Sequence, residues 1–146
     1  MRTFRAGADS GSVDHVSPGT AAPEIDVVPS KASEKGVTYE SASGHPLPNK
    51  GEQSMVLRTK GDHTAFAATF QTADVTKPRM SVARMCGQGH RVEFLPRVGA
   101  GGPIHTRAGE VIKFIRDKGG YTLDAELDPQ ASRDFRRQGG PRGASP

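Results

Sequence analysis

Tryptophan is absent from this chain of 146 residues, aromatics make up 5% and hydrophobic residues 34%. That is material for one modest core, and it disfavours a helical bundle. A single cysteine, Cys86, excludes an internal disulfide and a zinc site built from several thiolates. No run approaches the roughly 18 apolar residues that span a bilayer, and Met1-Arg2-Thr3-Phe4-Arg5 leads into no apolar signal region. The expectation is a soluble, cytoplasmic protein with no membrane partner. What the chain does have is punctuation: 18 glycines and 11 prolines, which favour short strands and many turns.

The net charge of +4 is unevenly placed. Between Pro129 and Pro146 four arginines (Arg133, Arg136, Arg137, Arg142) face one acid, Asp134, so three of the four net positive charges lie there. This stretch is rich in Gly, Pro, Ser and Gln, and its composition predicts a disordered basic tail. The division expected is therefore a folded domain over 1–128 and a tail over 129–146. Weak electrostatic contact with nucleic acid is the one partner the tail suggests.

Along the body, Ile25-Asp26-Val27-Val28 reads as one short strand in an otherwise loop-like region over 17–36. Val37-Thr38-Tyr39, the turn at Ser43-Gly44 and His45-Pro46-Leu47-Pro48 predict a hairpin with an exposed tip. Two longer antiparallel strands are expected over 52–73, turning at Lys60-Gly61-Asp62-His63. Val82, Met85 and Cys86 at helical spacing, stopped by Gly87 and Gly89, give the one credible helix. Strands follow at Arg91–Phe94, Val111–Ile115 and Tyr121–Leu127, with a glycine-rich loop over 98–103 and a turn at Lys118-Gly119-Gly120. The fold class is mainly β with one short helix.

The tripeptide Asp9-Ser10-Gly11 is where chemistry could reside. An aspartic peptidase needs a carboxylate on a tight loop, a hydroxyl that anchors the loop, and a glycine where backbones approach closely. With 9 Asp, 11 Ser and 18 Gly, chance alone would produce this tripeptide roughly one time in ten. Its surroundings carry more. Asp9-Ser10-Gly11-Ser12-Val13-Asp14-His15-Val16, Tyr39-Glu40-Ser41-Ala42-Ser43-Gly44, Phe70-Gln71-Thr72-Ala73-Asp74-Val75, Lys77-Pro78, Met80-Ser81-Val82, Gly89-His90-Arg91-Val92-Glu93-Phe94 and Gly120-Tyr121-Thr122-Leu123 together resemble a retropepsin-like aspartic protease, closest to the copia-type retroelement branch. The likeness runs over about residues 6 to 127.

That resemblance implies a closed β-barrel or sandwich with a flap hairpin. It makes Asp9 the catalytic carboxylate, Ser10 the hydroxyl gripping the opposing loop and Gly11 the close-contact glycine. The hairpin from about Val37 to Glu52 would be the flap, with Tyr39, Ser43 and Gly44 as substrate-binding residues. Met80-Ser81-Val82 would support the catalytic loop. No second Asp-Ser/Thr-Gly occurs in the chain, so a two-carboxylate mechanism demands a homodimer with Asp9 at its two-fold axis. The substrate would be a peptide or the parent polyprotein, and neither a cofactor nor a metal is implied.

Some features depart from the family pattern. Arg2, Arg5 and Gly7 interrupt what should be an apolar strand before Asp9. Arg79 stands where leucine is favoured, and two prolines occupy the returning flap strand. An inactive β-domain serving in dimerisation or peptide binding is therefore the competing expectation. Cys86 and His90 read as a small buried thiol and a surface histidine rather than metal ligands. Asp14-His15 lacks the nucleophile elbow of a serine hydrolase, and Gly99–Pro103 lacks both nucleotide fingerprints.

Overall fold

In the computed structural model, the described residues are 2–41, 43–61, 63–94, 101–117 and 120–138. Their elements in chain order are β1 (Arg2–Asp9), β2 (Val16–Ser17), a 3-10 turn (Gly19–Ala21), α1 (Lys31–Glu34), β3 (Thr38–Glu40), β4 (Pro46–Pro48), β5 (Gly51–Thr59) and β6 (Ala65–Thr72). They continue with β7 (Arg79–Ser81), α2 (Val82–Gly87), β8 (Arg91–Val92), β9 (Gly102–His105), β10 (Val111–Asp117), β11 (Gly120–Asp128) and α3 (Pro129–Arg137). The protein is mainly β, with one large sheet in the order β1-β7-β2-β6-β5-β11-β10-β9-β8. Because β1 also pairs with β11, six of these strands close a hydrogen-bonded circuit, from which β10, β9 and β8 branch off β11.

β1 shows why its arginines do not break it. Phe4 and Ala6 point inward and are buried, Arg5 between them points outward to Asp124 at 3.4 Å, and Arg2 at the exposed start of the strand meets Glu24 at 2.8 Å. Period-two alternation, rather than a continuous apolar run, makes this strand. It pairs antiparallel with β11 from Arg2 to Gly7, then parallel with β7 from Gly7 to Asp9. The core gathers Phe4, Met55, Leu57, Phe70, Phe114, Leu123 and Leu127, with Phe4 and Phe70 edge-to-face at 5.2 Å.

The expected pair of long strands is β5 and β6, in register from Gly51↔Thr72 to Arg58↔Ala65. The expected hairpin is β3–β4, although it ends at Pro48, and Gly51 and Glu52 belong to β5. Gly51 has φ +129, and a Cβ there would run into the Val28 carbonyl, so only glycine fits. The strand expected at Ile25–Val28 is reduced to one bridge, Val28↔Glu52, between Pro23 and Pro29. The loop leading to it is held from inside by Gln53, whose Nε2 donates to the carbonyls of Ala22 at 3.0 Å and Ile25 at 2.9 Å. β8 stops at Val92, short of the expected Phe94. The expected turns at Asp62 and Lys118-Gly119, and residues 98–100 of the glycine-rich loop, lie outside the described residues.

Two expectations about helices are corrected. There are three among the described residues, not one. α1 is a single turn closed by a capping box between Ser30 and Ser33. α3 occupies the stretch expected to be disordered. Asp128 caps it by accepting from Ala131 N at 3.0 Å, and Pro129 supplies the preset first residue. The Ala131 N–H, reinforced by Arg58, holds the Asp128 carboxyl below its usual range. Residues 139–146 lie outside the described residues.

α3 packs against β5, and its buried Ser132 accepts from Val56 N at 2.8 Å while donating to Asp128 O at 2.6 Å. Removing that hydroxyl leaves a strand N–H without its acceptor. Ser132→Ala is expected to lower stability by about 1–3 kcal/mol, read as an earlier urea midpoint, and truncation after Asp128 is expected to lower it at least as much. An unchanged midpoint for both variants would mean that the helix is not part of the folded body.

Candidate functional site

Asp9 ends β1 with its side chain one third exposed. Its Oδ1 accepts from Gly11 N at 2.9 Å, closing a tight turn, and its Oδ2 lies 3.9 Å from Arg79 Nη1. Ser10 and Gly11 are exposed on this turn. A Cβ on Gly11 would meet nothing closer than Asp9 Oδ1, at 3.4 Å. Beyond them Val13 is 73% exposed, the most open of the large apolar side chains.

The loop is held from beneath by Ser81, the last residue of β7 and the Cα partner of Asp9. Its hydroxyl donates to Ser12 O at 2.6 Å and accepts from Arg84 N at 3.0 Å, capping α2. Its backbone N–H donates to His15 Nδ1 at 2.9 Å. That bond fixes the tautomer: Nδ1 is the acceptor, so the neutral ring carries its proton on Nε2. His15 is 2% exposed and lies against the Phe70 ring. Burial first, then the Arg84 and His90 charges, push its pKa from 6.5 down to about 4.

The hairpin is tied to the same loop. Tyr39, on β3, donates to Asp14 Oδ2 at 2.9 Å and accepts from Asn49 Nδ2 at 3.0 Å. Burial, then the bond to Asp14, raise the Tyr39 hydroxyl to about 12. Asp14 Oδ1 lies 3.5 Å from Arg84 Nη1, so helix, loop and hairpin share one carboxylate. Asn49 continues the network to Gln71 at 2.9 Å and, through Oδ1, accepts from Gly51 N at 2.8 Å. At the tip, Gly44 takes φ +83, its N–H donates to Ser41 O at 2.9 Å, and the hydroxyls of Ser41 and Ser43 are 3.0 Å apart.

Of the residues singled out by sequence, Asp9, Ser10 and Gly11 share one turn. Tyr39 joins that turn through Asp14 at the hairpin's base, whereas Ser43 and Gly44 sit at its exposed tip. Sequence reasoning missed His15, Asn49 and Arg84 as partners in this assembly. Their bonds cross 10 to 70 positions of chain, and no local pattern announces them. Cys86, expected to be buried, is exposed, and His90 Nδ1 accepts from Arg107 N at 3.0 Å. Among the described residues no three His, Cys, Asp or Glu side chains converge as a metal site, and no helix is long and apolar enough to cross a membrane. No protein family, curated protein or solved structure matches this chain.

Two outcomes follow from the bonds that hold the loop. As pH falls the unfolded chain binds a proton at His15 near 6.5, while the folded chain resists until about 4. Unfolding free energy should therefore drop across that window, by roughly 3 kcal/mol, and this contribution should level off below it. Urea titrations at several pH values check the slope, and a flat profile between these limits would contradict a neutral, buried His15. Tyr39→Phe should release the hairpin locally. Hydrogen exchange at Thr38–Glu40 is expected to quicken by about tenfold, the weight of one hydrogen bond, with β5 and β11 amides unchanged.

Proposed function

We propose that this chain is a retropepsin-like aspartic endopeptidase acting as a homodimer on a peptide or polyprotein, in the cytoplasm. The observation that carries the reading is the setting of Asp9. Its carboxylate stands at the end of a strand, on a turn closed by Gly11, braced by buried Ser81 and open to one third of its surface. A loop fixed by three separate hydrogen bonds holds a reactive group without needing it for stability. The exposed Val13 and the open space around Gly11 suit a second copy or a peptide covering this face.

In the dimer, two Asp9 carboxylates about 3 Å apart would hold one proton between them. The ionised member takes a proton from a water that attacks the scissile carbonyl. The other protonates the departing nitrogen, with no covalent intermediate. Ser10 reaches the opposing loop. The β3–β4 hairpin is the flap, and its backbone from Tyr39 to Gly44 receives an extended peptide as an added strand. The Tyr39 hydroxyl, already engaged, anchors the flap's base.

A second reading has one observation in its favour. The Arg79 guanidinium beside Asp9 can neutralise the carboxylate and stand in for a proton, as suits an inactive module for dimerisation or peptide binding. Cleavage of a peptide library by the purified chain at mildly acidic pH separates the two. The peptidase reading expects turnover that a statine-type inhibitor blocks and that Asp9→Asn lowers by about two to four orders of magnitude. A folded dimer that binds peptides but cleaves none would establish the module instead, and a strictly monomeric chain would remove both.

A further inference from the structure

A cavity of about 310 Å³, lined from the sheet and from α2, lies apart from Asp9. Its wall is apolar, with Ala68 from β6, Met85 from α2, Ile104 from β9, Ile112 from β10 and Leu123 from β11. Its mouth is polar, framed by His90, Arg107 and Glu110. The size sits at the lower bound of small-molecule sites, and the pattern of apolar wall and few polar groups is theirs too.

Of the uncharged polar side chains His15, Gln88 and Thr106 that line the cavity, His15 is the buried one. His15 lines the cavity, and its Nδ1 is taken by Ser81 N–H, which leaves the proton on Nε2. The ring is 2% exposed, and among the described residues no acceptor meets that Nε2–H. A guest that offers a carbonyl oxygen to this N–H gains a directed hydrogen bond that the apolar wall cannot give.

We infer that this cavity is a binding site for a compact, uncharged apolar molecule bearing one carbonyl acceptor, which takes the hydrogen bond from His15 Nε2–H. A charged guest does not suit the site, because His15, Gln88 and Thr106 are uncharged and the charges in the lining, Arg107 and Glu110, are of opposite sign. The site is separate from the Asp9 turn, yet Ser81 contacts both, so a guest would bear on the loop through the His15–Ser81 bond.

The test uses the whole chain and two probes of matched shape, 1-indanone and indane, the second lacking the oxygen. The His15 ring resonances should report an Nε2–H tautomer and shift saturably with 1-indanone. Indane should bind about tenfold more weakly, the equivalent of about 1.4 kcal/mol. Ala68→Leu, which fills the cavity from β6, should abolish binding of both. Should that variant fail to fold, the two-probe comparison on the unaltered chain decides alone. Ring resonances that stay fixed up to about 10 mM 1-indanone, equal affinity for the two probes, or a proton found on Nδ1 would each overturn the inference. None of these readouts involves peptide cleavage, so their failure is distinct from failure of the peptidase reading.

Discussion

The backbone and hydroxyl of Ser81 tie the loop after β1 to β7 and to the start of α2. Its N–H is given to His15, its hydroxyl proton to Ser12 O, and its lone pair to Arg84 N. The residue is fully buried, so each of those bonds is made in an environment where an unmet partner would be expensive. Its position in β7 sets it level with Asp9 through parallel pairing. One side chain therefore starts α2 and fixes the turn that carries the candidate carboxylate, and its own backbone locks the tautomer of His15. Displacing the turn would unmake the helix cap as well, and this coupling keeps Asp9 in place.

Much of the architecture was legible where one rule governs a segment. β5, β6 and β11 alternate or run apolar between turn residues, and α2 shows its spacing before Gly87. Segments where two rules compete were misread. In β1 the arginines looked like interruptions because an apolar run was sought, yet Phe4 and Ala6 alternate with Arg5 as a half-buried strand must. At Asp128-Pro129 a capping residue followed by proline was present, but the glycine, serine and arginine content of the following stretch outweighed it. Ser132, an unremarkable residue in that composition, is what ties the helix to β5. Asp9, Ser10 and Gly11 could be read as a unit because the motif is contiguous. The Asp14–Tyr39–Asn49 network could not, since its members come from loop, hairpin and strand approach, and their only signal is spatial.

His15 sets a limit on the conditions in which such a site can operate. Its neutral form is part of the fold, for a proton on Nδ1 would abolish the acceptor that Ser81 N–H requires. An enzyme that keeps one proton between two carboxylates works best in acid, and acid is where this histidine resists folding. The two demands overlap only over a window above the folded pKa of about 4. Arg79 acts in the other direction, placing a permanent charge near the carboxylate at any pH. Arg79 lies beside Asp9 and His15 is bonded to Ser81, the strand partner of Asp9, so the electrostatics of the turn and the stability of the fold are not independent.

The glycines of this chain separate structural need from need imposed from outside. Gly51 is explained within one molecule, by its φ of +129 and by the Val28 carbonyl that crowds it. Gly11 is not among the residues with positive φ, and among the described residues, beyond its chain neighbours, no backbone atom comes within 4 Å of where its Cβ would sit. An alanine would fit there in the isolated chain. A glycine in that position, beside an exposed carboxylate and an exposed Val13, is accounted for when another backbone comes to lie against the turn. The proposed homodimer would supply that backbone, from the same turn of a second copy.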